Sequence, residues 1–434
     1  MRILLVSHGY PPYGAAGVER LSAQTAEALA AAGHAVTVYT RRPSAAPPTL
    51  ALERTQRNGV TVVTVFGGGS SFGRFPGNEA DMELAFTRML AETAPDVVLL
   101  MHLMHHSPGY VATAHRFGVP VALELHDFFA ACPLAHLERT DGRRCAGPEG
   151  GAACATHCFR EHRAAEARWA LRAHSFRHAV RSADLVVCPS RFVADYFRPL
   201  RGDRPIEVLG NGVPPSFLAG RQPRRPDPAA PLELATIGVV VPHKGQHILI
   251  EALRLARLPA VRVALLGATT TPYDQQLREA ASEVEGLRLA MVGRFEPEQL
   301  PGLLRDVDAV VIPSLVEETY SIAAREAFAC GVPVLAADIG ALREGVRDGV
   351  NGRLFPPGDA ASLALLLQEL DRDRSLAARW SAGIRPDDVM SVPERTARVE
   401  QLLSELVAGG VANAEEDEAL ELRQLRDGLA AELQ

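Results

Sequence analysis

The sequence encodes an α/β protein of two doubly wound domains, and three observations point there. Short β-branched and aliphatic runs alternate with helix-length segments from end to end, the pattern of a parallel sheet covered on both faces. At 434 residues the chain is too long for one ordinary core. The strand–helix series breaks once, at residues 214–231, where PPSFLAGRQPRRPDPAAP is dense in Pro, Gly and Arg and reads as a linker.

The elements follow in order. RILLVSHG opens as a strand, and residues 19–32 form a helix rich in Ala and Leu that Gly33 stops. HAVTVYT, VTVVTVF, DVVLLMHLM, PVALELH, LVVCPS and IEVLGNG complete the first series of strands. Beyond the linker, LELATIGVV, VRVALLG, LRLAMVG, AVVIPS and PVLAAD make a second series. Ligands of such sheets gather at the carboxyl ends of the strands. Residues 393–407 have helical spacing at Val399, Leu402, Leu403 and Leu406, broken by Gly409 and Gly410.

Composition excludes several classes. With 47% hydrophobic and 22% charged residues, the chain is neither disordered throughout, collagenous nor a small disulfide scaffold. Its longest apolar runs, such as VVLLMHLM, fall far short of a membrane span of ~20 residues. MRILLVSHGY lacks the features of a signal peptide, so a cytoplasmic protein is expected. The net charge is −7, of which −5 sits in residues 415–434, leaving about −2 elsewhere and no basic field for nucleic acid. Of 45 basic residues only Lys244 is a lysine, which suggests a site needing a compact ammonium rather than a planar fork.

The richest stretch is PSLVEETYSIAAREAFACGVPVLAADIG, residues 313–340, between the strands AVVI and PVLAA. Its helix is expected to begin near Tyr320 or Ser321, with Glu318 in the loop and Glu326 eight residues later within the helix. Free N–H groups and the positive end of the helix dipole make such a start an anion site. A phosphate there would have a carboxylate on either side, suited to sugar hydroxyls.

This stretch resembles the Glu-seven-Glu signature of retaining glycosyltransferase family 4, whose fold is GT-B. IGVVVPHKGQHILIEAL is similar to that family's phosphate-binding segment, with Lys244 on its conserved lysine. The opening HGYPPYGAAGVERLSAQTAEALAAAGHAVTVYT, the motifs ELHDFF, CPSRF and LGNGV, and the closing DIGALREGVRDGVNGRLFPPGD match in order from Met1 to about Leu406. The resemblance implies two Rossmann-like domains facing a central cleft, with a C-terminal helix crossing back to the first. The expected boundaries are 1–215 for an acceptor-binding domain, 216–390 for a nucleotide-sugar-binding domain, 391–410 for the returning helix, and 411–434 for an acidic amphipathic tail.

By resemblance, Glu326 binds ribose hydroxyls and Glu318 contacts the donor sugar or supports charge at its anomeric carbon. The N–H groups around Tyr320, Ser321 and Ile322 receive the diphosphate, and Lys244 neutralises it without a metal. Gly238 belongs to the same phosphate-binding segment. His126 matches the family's active-site histidine, and Gly17 its N-terminal glycine turn. Asp127 either orients His126 or faces the acceptor. Three positions depart from the common pattern: Val239 replaces an arginine, Ala16 precedes Gly17 in place of a second glycine, and Ser321 stands where glycine is common. Ser321 would cap its helix. Arg294, in VGRF, either replaces the missing cation or lines the base. Asp306 and Asp308 mimic a DxD metal motif but precede a buried strand and read as structural.

Two features lie outside these motifs. Cys132, Cys145, Cys154 and Cys158 fall within 27 residues and are a candidate structural zinc site, against reduced or partly oxidised thiols. Residues 159–181 (Phe159–Arg181) carry six arginines interspersed with Trp169 and Phe176, either a solvated helix face or a peripheral contact with anionic lipid. The acidic tail, with Leu422, Leu425, Leu429 and Leu433, packs as a terminal helix or self-associates.

The function expected is a bacterial hexosyltransferase, retaining and independent of metal or other cofactors for catalysis. It would move a sugar from a UDP or GDP sugar to a sugar or lipid-linked acceptor in polysaccharide or glycoconjugate biosynthesis. The alternatives are a nucleotide-sugar epimerase on the same fold, a phosphorylase-like enzyme using Lys244 for pyridoxal phosphate, and a noncatalytic sugar-nucleotide binding protein.

Overall fold

The structure is a computed structural model, and it describes residues 1–14, 17–42, 51–66, 80–159, 165–219, 229–269 and 271–411. Residues 220–228 of the linker, Ala16, the start of the basic stretch (Arg160, His162 and Arg163) and the acidic tail from residue 412 lie outside the described residues. The chain divides into two compact units, Met1–Gly210 with Pro393–Gln434, and Asn211–Val392.

The first unit is built on an eight-stranded sheet of order β3-β4-β2-β1-β5-β6-β7-β8. Its strands are β1 (Arg2–Ser7), β2 (Ala35–Arg42), β3 (Ala51–Arg57), β4 (Val60–Phe66), β5 (Val97–Leu100), β6 (Val121–Glu124), β7 (Leu185–Cys188) and β8 (Glu207–Val208). All pair in parallel except β3, which runs antiparallel to β4 at the edge. Neither face of β3 is covered, so its sequence ALERTQR carries no apolar alternation that could reveal it. The central strands show the reverse: β5 and β6 are buried at every position. DVVLLMHLM is longer than its strand, because β5 stops at Leu100 and the remaining residues form a loop bearing His102.

The second unit holds a six-stranded parallel sheet of order β11-β10-β9-β12-β13-β14. Its members are β9 (Leu232–Ile237), β10 (Val261–Leu266), β11 (Leu287–Gly293), β12 (Ala309–Ile312), β13 (Val334–Ala337) and β14 (Gly352–Phe355). The helices Gln246–Ala256 and Ala360–Arg372 pack on it through Leu249, Leu253, Leu363 and Leu367, each shut off from solvent. Asp308, at the amino end of β12, accepts from Glu233 N–H at 2.9 Å and pairs with Arg374 at 3.0 Å. It is a structural link at the end of the sheet opposite the site.

Each sheet has a switch point. From β9 the chain winds to β10 and β11 on one side, then crosses to β12 on the other, so the loops after β9 and β12 adjoin. In the first unit the same reversal lies between β1 and β5. The helix Val392–Gly409 leaves the second unit at Val392 and belongs to the first from Pro393 onward. It buries Arg395, Val399, Leu402 and Leu403 there.

Candidate active site

At the switch point of the second unit the loop after β9 is tied to the loop after β12. The turn Pro242–Lys244 ends on Gly245, and Leu315 N–H donates to the His243 carbonyl at 2.9 Å. Gly245 is required twice over. Its φ is +73°, and a Cβ there would stand 1.9 Å from the Pro313 carbonyl oxygen. Gly245→Ala is therefore expected to lower stability by roughly 3 kcal/mol, from left-handed strain and overpacking together. Urea unfolding beside the wild type measures it. Gly340 (φ +55°) plays the same part on the other flank, where a Cβ would meet the Glu318 carbonyl oxygen at 2.4 Å.

This close approach brings two expected residues together: Lys244 Nζ donates to Glu318 Oε1 at 2.7 Å. Ser314 Oγ donates to the same oxygen. Burial alone would raise the Glu318 carboxyl, but the Lys244 charge and the hydrogen bonds from Lys244 and Ser314 together outweigh it and hold the group below its ordinary value. The result is an anionic carboxylate paired with an ammonium that keeps two donors spare.

The helix Ile322–Ala329 starts beside them. Ser321 precedes it at φ +59°, ψ +76° and makes no side-chain cap bond, contrary to the capping expected of it. A capping hydroxyl needs an extended backbone at its own position, and a left-handed one aims it away. The same conformation explains why glycine would suit the position. The first helical bonds are those of Ala324 and Arg325 N–H to the Ser321 carbonyl. Among the described residues the N–H groups of Ser321, Ile322 and Ala323 thus have no acceptor. Glu326, one turn on from Ile322, shares its half-buried face.

The other expected residues each have their own surroundings. Tyr320 is committed to the fold: its hydroxyl donates to the Asn211 carbonyl at 3.0 Å and its ring lies beneath Arg325. Gly238 follows β9 at φ +121°, its N–H held by the Leu266 carbonyl, and the exposed Val239 comes next. Arg294 follows edge strand β11, two strands from β9, and is exposed.

In the first unit three imidazole–carboxylate pairs gather at the carboxyl ends of β1, β5 and β6. His8 lies 3.2 Å from Glu19, His102 3.1 Å from Asp127, and His126 2.9 Å from Glu124. The His8 and His102 rings, on either side of the switch point, have centroids 4.4 Å apart. Burial pushes His8 below its ordinary value, His105 to about 4 and His106 to about 3, so these rings are neutral. Asp127 orients His102 rather than His126, and its other oxygen accepts from Phe129 N–H at 2.7 Å. Gly17 is the exposed first residue of the helix Gly17–Ala31, where a Cβ would meet nothing. The tight position in that turn is Gly14, whose Cβ would stand 2.9 Å from Glu19 Cγ.

The chain matches two family descriptions, "Glycosyltransferase Family 4" over residues 15–217 and "Glycosyl transferases group 1" over residues 224–386. It is 30% identical over 365 residues to D-inositol 3-phosphate glycosyltransferase of Actinosynnema mirum, covering 78% of this chain and 80% of that one. The chain belongs to glycosyltransferase family 4. The enzyme is also 28% identical over 392 residues to a glycogen synthase of Mycobacterium tuberculosis, 89% of either chain. In fold it is similar to HepE of Anabaena, solved in complex with UDP (TM-score 0.66, 20% identity, 93% of this chain and 100% of that one). Sucrose-phosphate synthase from Thermosynechococcus elongatus gives a TM-score of 0.68 at 18% identity over 94% and 99% of the two chains. The α/β GT-B architecture of this glycosyltransferase is the one its sequence predicts.

Outside the site, Cys132, Cys145, Cys154 and Cys158 of the glycosyltransferase line one pocket. Among the described residues no group of three or more His, Cys, Asp or Glu side chains is placed to hold a metal ion. Cys154 packs on Trp169, and Cys145 Sγ donates to the Gly147 carbonyl at 3.3 Å. Burial pushes Cys154 up to about 12, which keeps it protonated. The helix Ala165–Ser182 turns Trp169, Arg172 and Phe176 into the core, leaving Arg168, Arg177 and Arg181 exposed. Its aromatic residues are thus unavailable to a lipid surface. No described helix is long and apolar enough to cross a membrane.

Sequence reasoning did not single out His8, Glu19, His102, Glu124 or Arg395. One signal was present. Buried central strands read as continuous apolar runs, and the glutamate within VALEL breaks that rule.

Proposed function

We propose that this enzyme transfers a sugar from a nucleoside-diphosphate sugar, with retention and without a metal, to a sugar or lipid-linked acceptor in polysaccharide or glycoconjugate assembly. The observation that carries the reading is the Lys244–Glu318 pair beside the unpaired N–H groups of Ser321, Ile322 and Ala323. A diphosphate fits that combination: backbone donors and the helix dipole face its oxygens, and Lys244 adds a point charge. As the bond from the anomeric carbon to the phosphate oxygen breaks, negative charge grows on the phosphate. Lys244 stabilises it more in the transition state than in the ground state. The acceptor oxygen bonds to the same face of the anomeric carbon, and its proton passes to the departing phosphate oxygen. Glu318 supports the positive charge at that carbon, and Glu326 holds the ribose hydroxyls. His126 contacts the acceptor or the donor sugar.

Thermal stabilisation against UDP, GDP, ADP and dTDP sugars tests the donor, starting with UDP-glucose because HepE was solved with it. One nucleotide should raise the melting temperature, and Lys244→Ala and Glu326→Ala should each abolish the shift. No shift with any of the four would overturn the reading.

A further inference from the structure

Glu124 and Arg395 are the least expected residues of the first unit. Glu124 ends a central strand with its side chain 2% exposed, and Arg395, from the helix Val392–Gly409, is 1% exposed. Arg395 Nη2 donates to Glu124 Oε2, and its Nη1 donates to Thr25 Oγ1 at 2.9 Å. Burial alone would raise the Glu124 carboxyl, but Arg395 and His126 outweigh it and hold it at about 2, so it is ionised. A buried ion pair of this kind is not needed for packing, since well-fitted apolar residues commonly serve stability as well or better.

Its consequence is felt at His126. His126 lies two residues past Glu124, in the bend just beyond the end of β6. His126 Nε2 stands 2.9 Å from the same Oε2 that receives Arg395, though obliquely to the line of a well-directed hydrogen bond. An ionised carboxylate only accepts, so the nitrogen facing it carries the proton. The other nitrogen, Nδ1, is then left with its lone pair. It is buried, has no partner among the described residues, and belongs to a ring that lines a pocket with His102, Asp127 and Phe129.

We infer that Glu124, clamped by Arg395, is a positioning residue that fixes His126 as the Nε2–H tautomer and presents Nδ1 to a substrate hydroxyl as an acceptor. This rests on the reading of His126 as part of the sugar-transfer site, and it adds which atom acts and what holds it. Arg395 and Glu124 do not touch the substrate. They set the tautomer and the ring plane, as a carboxylate does for a catalytic imidazole elsewhere.

Nitrogen-15 NMR of the full-length protein labelled at histidine side chains, with His126 assigned by its loss in His126→Gln, reads the tautomer directly. A protonated Nε2 and a bare Nδ1 are expected in the wild type; the opposite tautomer overturns the proposal without any further variant. Arg395→Met and Glu124→Gln should then shift the His126 signals toward mixed tautomers and lower kcat by about 10–100-fold with the donor KM unchanged. Arg395→Lys should restore part of both. Unchanged His126 signals in a folded Arg395→Met protein would also overturn it. Full activity in His126→Gln would count instead against His126 as a site residue, leaving the tautomer measurement to decide the positioning claim.

Discussion

Lys244→Ala is expected to lower kcat for sugar transfer by about 10²–10³-fold, which is about 2.7–4 kcal/mol of transition-state stabilisation. The ammonium stands 2.7 Å from Glu318, beside the helix start whose N–H groups are open, so it lies where leaving-group charge would develop. Two effects add. The growing phosphate charge loses its cation, and Glu318, still buried, loses the partner that holds it ionised. Lys244→Arg should recover little of the loss. A guanidinium is a wider planar fork, and the ammonium is a compact charge with three donors on a site closed by Gly245 against Pro313. Steady-state kinetics with a saturating donor measure both variants. A kcat for Lys244→Ala within threefold of wild type would remove Lys244 from the chemistry.

Breaking the buried pair of the first unit is the second large effect. Glu124→Leu and Arg395→Met, made singly, should each destabilise the protein by about 3–5 kcal/mol, because each leaves an uncompensated charge in the core. The double variant should regain most of that stability, since two apolar side chains need no counter-charge. It should stay defective in turnover, because nothing then orients His126. Urea unfolding of the four proteins, with kcat alongside, separates the two roles. If the double variant recovered both stability and turnover, the pair would be structural alone. The pH dependence has a definite sign. Glu124 is held at about 2, below its unfolded value near 4.5. The stability it contributes is fully present above pH ~4.5 and is lost as pH falls through about 2. The wild type should therefore lose stability across that window, and the double variant should lose less.

The legible and illegible parts of the fold separate on physical grounds. Buried parallel strands must be apolar along their length, so β1, β5, β12 and β13 announce themselves. Strand β3 does not, because exposed edge residues such as Glu53, Arg54 and Gln56 answer to no core. Strand β14 does not either, because four residues with a central arginine are too short to show a period. At the site, Lys244 stood out by rarity, and Glu318, Ser321 and Glu326 by their place in one strand–loop–helix crossover. Those are local signals. Ser321 was expected to cap its helix; only φ and ψ show that it cannot. The bond of the Tyr320 hydroxyl to Asn211 and the place of Arg294 after an edge strand are likewise visible only in the fold.

By itself, then, the sequence determined the α/β alternation, the two doubly wound sheets and the loops that carry the phosphate-binding residues. Each of these follows from hydrophobic pattern and turn chemistry within a few dozen residues. The tertiary structure alone decided which charges meet. Lys244 finds Glu318 across 74 residues, and Arg395 finds Glu124 across 271. Ion pairs between distant segments leave no period in a sequence. They are set by strand order, which brings the loops after β9 and β12 side by side and seats the helix Val392–Gly409 against the end of β6. That order is a property of how whole strands pack, and no short segment contains it.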